Sequence, residues 1–81
     1  MSLDSVIQAV RQGRVEAYAA VVRRHQEEIW QIAAYSLRDA SETEELVQRV
    51  FVQAYTRLGS YELGRDFGAW LRAIARNLVR E

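Results

Sequence analysis

The stretch Gly59-Ser60-Tyr61-Glu62-Leu63-Gly64-Arg65-Asp66-Phe67-Gly68-Ala69-Trp70-Leu71-Arg72-Ala73-Ile74-Ala75-Arg76-Asn77 decides which fold this chain can adopt. Its first eight residues hold two glycines and no regular apolar pattern, so they read as a loop. The remainder reads as a helix with two separate chemistries. Phe67, Trp70, Leu71, Ile74 and Leu78 recur at the three-and-four spacing of one apolar face, while Arg72, Arg76 and Arg80 run four apart on another, with Asn77 beside them. Asp66 stands where such a helix takes its N-cap. One face suits a core and the other an anion, and Phe67 and Trp70 belong with the core.

Working back from this loop, the chain divides into further helical blocks. It has no proline, and its glycines stand at 13, 59, 64 and 68. Leu3, Val6, Ile7 and Val10 predict a short first helix with Ser2 as N-cap and Gly13 as stop. From about Val15 to Leu37 a second helix carries Tyr18, Val22, His25, Ile29, Ile32 and Ala33 on one stripe. His25 is a packed residue of that stripe, not a ligand. After a break at Arg38-Asp39-Ala40, Ser41-Glu42-Thr43-Glu44 has the S-x-x-E form of a capping box. The third helix runs from there to about Leu58, burying Leu46, Val47, Val50, Phe51, Ala54, Tyr55 and Leu58. Its opposite arc shows Glu45, Gln48, Arg49, Val52 and Thr56. Nothing reads as a strand, so the expected fold is an all-α, compact bundle of one short and three longer helices.

With 81 residues the chain is one domain at most, spanning 1–81, and it is too small for an enzyme-sized cleft. It has no cysteine and one histidine, which excludes disulfides and thiolate metal sites and implies no cofactor. The carboxylates Glu42, Glu44 and Glu45 have no nucleophile or metal partner, so no catalytic constellation forms and an enzyme is not expected. The formal charge is zero, which argues against a nonspecific DNA coat. All eleven basic residues are arginine, which suits directed contacts to carboxylate or phosphate but equally fits a GC-rich genome. No stretch approaches the roughly 18 apolar residues of a membrane span, and a cytoplasmic protein is the expectation.

Two blocks, Glu44-Glu45-Leu46-Val47-Gln48-Arg49-Val50-Phe51 and Phe67 through Asn77, stand in the order and spacing of region 2 of bacterial sigma factors. The chain most resembles the extracytoplasmic-function group, whose members read approximately DAEDLVQEVFLRAW, a loop with an aromatic, then FRAWLYRIARN. Here the counterparts are Asp39 through Tyr55, Tyr61, and Phe67 to Asn77. Upstream, Gly13-Arg14-Val15-Glu16-Ala17-Tyr18 matches the family's G-D-x-x-A-F. The resemblance covers nearly the whole chain, and the two blocks together are far more specific than either amphipathic helix alone.

The resemblance implies that the third helix docks on the clamp helices of the largest subunit of RNA polymerase through Glu45, Gln48, Arg49 and Val52. Arg49 departs from the family's acidic residue and puts its own contact in doubt. The loop and fourth helix resemble the part that melts the promoter −10 element and captures a base of the single non-template strand. Tyr61 would stack on that base or wall its pocket, Asn77 would read its edge, and Arg57, Arg65, Arg72 and Arg76 would hold phosphates. Arg72-Ala73 stands where the family has Y-R, so the basic group has moved by one residue. An anti-sigma factor is a further implied partner. A complete factor of the group resembles two domains, so this chain is expected to be a fragment lacking the −35-reading module. The competing reading is a sigma-like interaction bundle that binds polymerase or an anti-sigma factor without touching DNA.

Overall fold

The computed structural model describes residues 3–81. They form four α-helices: α1 (Leu3–Arg11), α2 (Tyr18–Ser36), α3 (Ala40–Thr56) and α4 (Phe67–Arg80). Short 3₁₀ turns at Val15–Ala17 and Leu58–Ser60 precede α2 and follow α3. The three long helices pack on one another, and α1 lies against α2 and the turn after α3. The expected bundle is therefore what forms. The Ser2 cap falls outside the described residues.

Each helix buries the side chains that its spacing selects. Val6, Ile7 and Val10 of α1 meet Val21, Ile29 and Ala33 of α2, Leu46, Val50, Phe51 and Ala54 of α3, and Phe67, Leu71, Ile74, Ala75 and Leu78 of α4 in one core. The α2 stripe is shifted from its expected course, because Val21 is fully buried while Val22 and Ile32 lie at its edge. Residues 15–17 do not join α2, and Val15 is exposed, so no apolar contact draws that turn into the α-helix. Tyr18 anchors the junction: its hydroxyl donates to the Phe51 carbonyl at 2.5 Å and its ring tilts against Tyr55 at 5.2 Å. Burial pushes that phenol up to about 12.

The helix ends are set by local chemistry. Gly13, at φ 100°, closes α1 while the amide of Arg14 bonds to Ala9 and that of Gly13 to Val10, the paired bonds of a Schellman cap. The capping box at Ser41 does not form. Asp39 is the N-cap of α3, accepting from the Ser41 amide at 2.7 Å, and Ser41 lies inside the helix. A carboxylate at the positive end of the helix is a stronger acceptor than a hydroxyl two residues later. Asp66 caps α4 as expected, accepting from the Ala69 amide at 3.1 Å.

Candidate functional site

The outward arc of α3 presents Glu45, Gln48, Arg49 and Val52, all exposed, on the side opposite Leu46, Val50 and Ala54. At 100° per residue they span about a quarter turn, so one partner surface can meet all four. Val52 is 64% exposed, an apolar side chain with no packing role within the domain. Arg49 reaches Glu81 at 3.5 Å, which partly masks the reversed charge at that position. With both groups exposed, that pair is worth at most about 1 kcal/mol.

Two grooves between α2 and α3 flank the arc. Gln48 lines one of about 380 Å³ with Gln26, Glu27, Trp30, Glu44 and Val47. Val52 lines another of about 610 Å³ with Val15, Tyr18, Phe51 and Tyr55. Trp30 and Val15 were not legible as surface residues from their apolar character, although Trp30 lies off the stripe set by Val21, His25, Ile29 and Ala33. These clefts widen the apolar part of the candidate docking face beyond Val52.

At the other face the structure corrects the role read for Tyr61. Only 3% of it is exposed. Its ring packs edge-on against Phe67 at 5.1 Å and against Trp70 at 5.4 Å, and its hydroxyl donates to the Arg65 carbonyl at 2.5 Å. A ring enclosed in this way has no free face on which a base could stack, which leaves the wall of a pocket as the role compatible with its burial. Burial accordingly raises its phenol above the ordinary tyrosine value. Asn77 is exposed seven residues beyond Trp70, about 10 Å further along α4. The half-buried Trp70, seven residues earlier, is the aromatic on Asn77's flank of the helix.

The loop owes its shape to two further residues. Gly64 has φ 88° in the turn closed by the Arg65 amide on the Glu62 carbonyl, the third position where such turns need glycine. Arg11, at the end of α1, donates to the Leu58 carbonyl at 2.8 and 3.2 Å and to the Tyr61 carbonyl. This tie across the sequence left no local signal.

The arginines separate into engaged and free groups. Arg72 is not free for phosphate: it is half-buried and its Nη1 lies 2.5 Å from Glu28 Oε1. That hydrogen bond raises its pKa further. Gly68 makes room for the arrangement, since a Cβ there would stand 3.0 Å from Arg72 Nη1. Arg65 pairs with Glu62 at 3.2 Å on the surface, a weak pair that a phosphate can displace. Arg57 is exposed at the end of α3, and Arg76 and Arg80 are exposed along α4. Among the described residues Arg76 and Arg80 enter no ion pair.

His25 lies behind this face, buried, with its ring 5.4 Å from Phe67 and Nδ1 3.9 Å from Glu28 Oε2. Among the described residues its Nε2 has no hydrogen-bond partner. Burial lowers its pKa below 6.5, an effect larger than the opposing pull of Glu28. As pH falls through the unfolded value the unfolded chain therefore binds more protons than the folded one, so stability is lost as the solution becomes more acidic. Melting temperature is expected to drop from about pH 7.5 to about pH 5.5, more steeply in the wild type than in His25→Leu. Parallel melting curves for the two proteins would show that His25 is not the group responsible.

Among the described residues no cluster of His, Asp or Glu is arranged to hold a metal ion. None of their helices is long and apolar enough to cross a membrane. The domain is a helical bundle with an exposed mixed polar and apolar arc on α3 and exposed arginines with an asparagine on α4.

The model of the sigma-70 region 2 family matches residues 21–81, and the chain belongs to that family. It is 32% identical over 98% of its length to the ECF RNA polymerase sigma factor SigW of Bacillus subtilis (strain 168), and covers 42% of that protein. It is 30% identical over 94% of its length to the ECF RNA polymerase sigma factor BldN of Streptomyces coelicolor, covering 29% of it. The chain thus spans less than half of these relatives. The fold matches an engineered region 2 of sigmaE, whose NMR structure is of its complex with GTAAAA, with a TM-score of 0.91 and 25% identity over 99% of this chain and 83% of that one. Proteins of this family are transcription factors without enzymatic activity.

Proposed function

We propose that this chain is the part of a sigma factor that joins RNA polymerase to the melted promoter −10 element. The arc Glu45, Gln48, Arg49 and Val52 docks on the clamp helices of the largest polymerase subunit, with carboxylate and amide acceptors for basic side chains and Val52 and Trp30 for an apolar contact. The loop 59–66 and α4 hold the non-template single strand. Asn77 reads a base edge, Arg76, Arg65 and Arg57 meet phosphates, and Tyr61 supports the loop from beneath. Arg72 takes part by fixing α4 to α2 through Glu28. The mechanism is non-covalent: binding energy favours the open form of the duplex, and no bond is made or broken.

The observation that carries this reading is the exposure of Glu45, Gln48, Arg49 and Val52 on α3 and of Arg76, Asn77 and Arg80 on α4. The likeness to a region 2 that binds GTAAAA supports the DNA half of it. The work is then done in the cytoplasm, where the polymerase is, and without catalysis by this chain. An anti-sigma factor that covers the α2/α3 grooves would block the first step. Residues 1–81 would act as one functional unit alongside a −35-reading module.

The test is retention of a −10-type single strand by the domain bound to polymerase. Asn77→Ala is expected to lower base-specific retention about three- to tenfold, the loss of one or two hydrogen bonds at a base edge, with clamp-helix binding unchanged. Equal retention of matched and scrambled strands by wild type and Asn77→Ala would leave the chain as a protein-interaction bundle.

A further inference from the structure

The cleft between α2 and α4 contains an aromatic side chain that the fold does not use. Tyr35, next to the last residue of α2, is 94% exposed. A tyrosine in that state gives up its apolar area to water with no packing in return. It lines a groove of about 490 Å³ together with Gln31, Ile32, Arg76, Val79 and Arg80. Glu28 and Arg72, at the opposite end of the groove, neutralise each other at 2.5 Å. Arg76 and Arg80 are left as uncompensated cations on a chain whose formal charge is zero. Consecutive arginines of α4 are separated by about 6 Å along the helix axis, so the positive charge extends as a line towards Tyr35.

An open aromatic face beside unpaired guanidinium groups is the combination that holds single-stranded nucleic acid without regard to sequence, since every base has a π-face and every linkage a phosphate. Among the described residues neither of these two arginines is paired with a carboxylate, so the groove complements a polyanion. We propose that this groove is a nucleotide-binding subsite, in which Tyr35 stacks on a base of the strand while Arg76 and Arg80 hold the flanking phosphates. The proposal rests on the reading of α4 as the strand-binding helix and adds to it a second point of attachment, away from the loop. Ile32 and Val79 supply the apolar floor under the stacked base. The subsite extends the length of strand engaged without adding sequence preference.

The experiment is a fluorescence anisotropy titration of the 81-residue chain with a labelled oligothymidylate of about twelve nucleotides. Tyr35→Ala is expected to weaken binding about fivefold or more with the salt dependence unchanged, because stacking releases no counterions. Tyr35→Trp is expected to keep the affinity. Arg80→Gln is expected to reduce the slope of log affinity against log salt by about 0.7, the signature of one lost phosphate contact. A strand carrying 5-iodouracil should photocrosslink to Tyr35. Equal affinities for wild type and Tyr35→Ala, adducts mapped elsewhere, or no binding of the strand by wild type would each overturn the subsite. So would an acidic peptide displacing the strand while making the same Tyr35-dependent contact more tightly, which would mark a protein-binding groove. These outcomes are separate from the parent reading, which stands or falls on the Asn77-dependent retention of a −10 strand in the presence of polymerase.

Discussion

Glu45→Lys is expected to abolish association with the isolated clamp helices of the polymerase while the circular dichroism of the domain remains that of wild type. Glu45 is exposed on the outer arc of α3 and makes no hydrogen bond or ion pair among the described residues. Its replacement therefore costs the fold at most about 0.5 kcal/mol, the usual size of a surface change. At a docking face the same change sets like charge against like charge, which costs several kcal/mol, or a loss of about a hundredfold or more in affinity. Arg49 already places a cation in the arc, and its pairing with Glu81 offsets only part of it, so a second cation at position 45 adds to a positive charge already there. Full binding by Glu45→Lys in a pull-down would remove α3 from the interface.

The second large effect belongs to Tyr61 and falls on stability. Tyr61→Ala removes a ring that touches Phe67 and Trp70 and leaves a cavity in the core, at a cost of about 3–5 kcal/mol. A domain of this size holds only about 4–12 kcal/mol in all. The melting temperature should fall by about 15 °C or more, and strand capture and polymerase binding should be lost together as the domain unfolds. Tyr61→Phe keeps the ring and loses only the hydroxyl bond to the Arg65 carbonyl, about 1 kcal/mol. That milder variant isolates the loop: strand binding should weaken while polymerase binding holds. A Tyr61→Ala domain that melts with the wild type but fails to capture the strand would return Tyr61 to direct contact with DNA.

The contrast between Glu45 and Tyr61 indicates what the sequence could disclose. The exposed arc of α3 was legible because helical periodicity alone assigns Glu45, Gln48, Arg49 and Val52 to one side once Leu46, Val50 and Ala54 claim the other. Gly13 and Asp66 were legible for the same local reason, each acting within its own helix end. Tyr61 was not, because a loop has no period, and its burial depends on Phe67 and Trp70 closing over it. The Arg11 bonds to Leu58 and Tyr61 and the Arg72 pair with Glu28 join residues more than forty apart, so no spacing rule reaches them. The N-cap of α3 was misplaced by two residues because Ser41 and Asp39 are both good caps, and only the chain's path into the helix chooses between them. Tyr35 was passed over because a lone tyrosine on a helix carries no sign of its exposure.

The proposed strand binding does not require a chain of positive net charge. Among the described residues Arg76 and Arg80 are unpaired on α4, while Glu45 and Arg49 balance each other in the α3 arc, so a net charge of zero still leaves positive charge concentrated on α4.

The most direct measurement of the proposed division between α3 and α4 is a pair of amide NMR titrations on the 15N-labelled domain, one with the isolated clamp helices and one with a −10-type single strand. The account predicts that the first moves resonances between Glu45 and Val52 and around Trp30, and the second those of the 59–66 loop and of α4 to Asn77 and Arg80. Both ligands perturbing the same residues, or the strand shifting α3 and sparing α4, would contradict it.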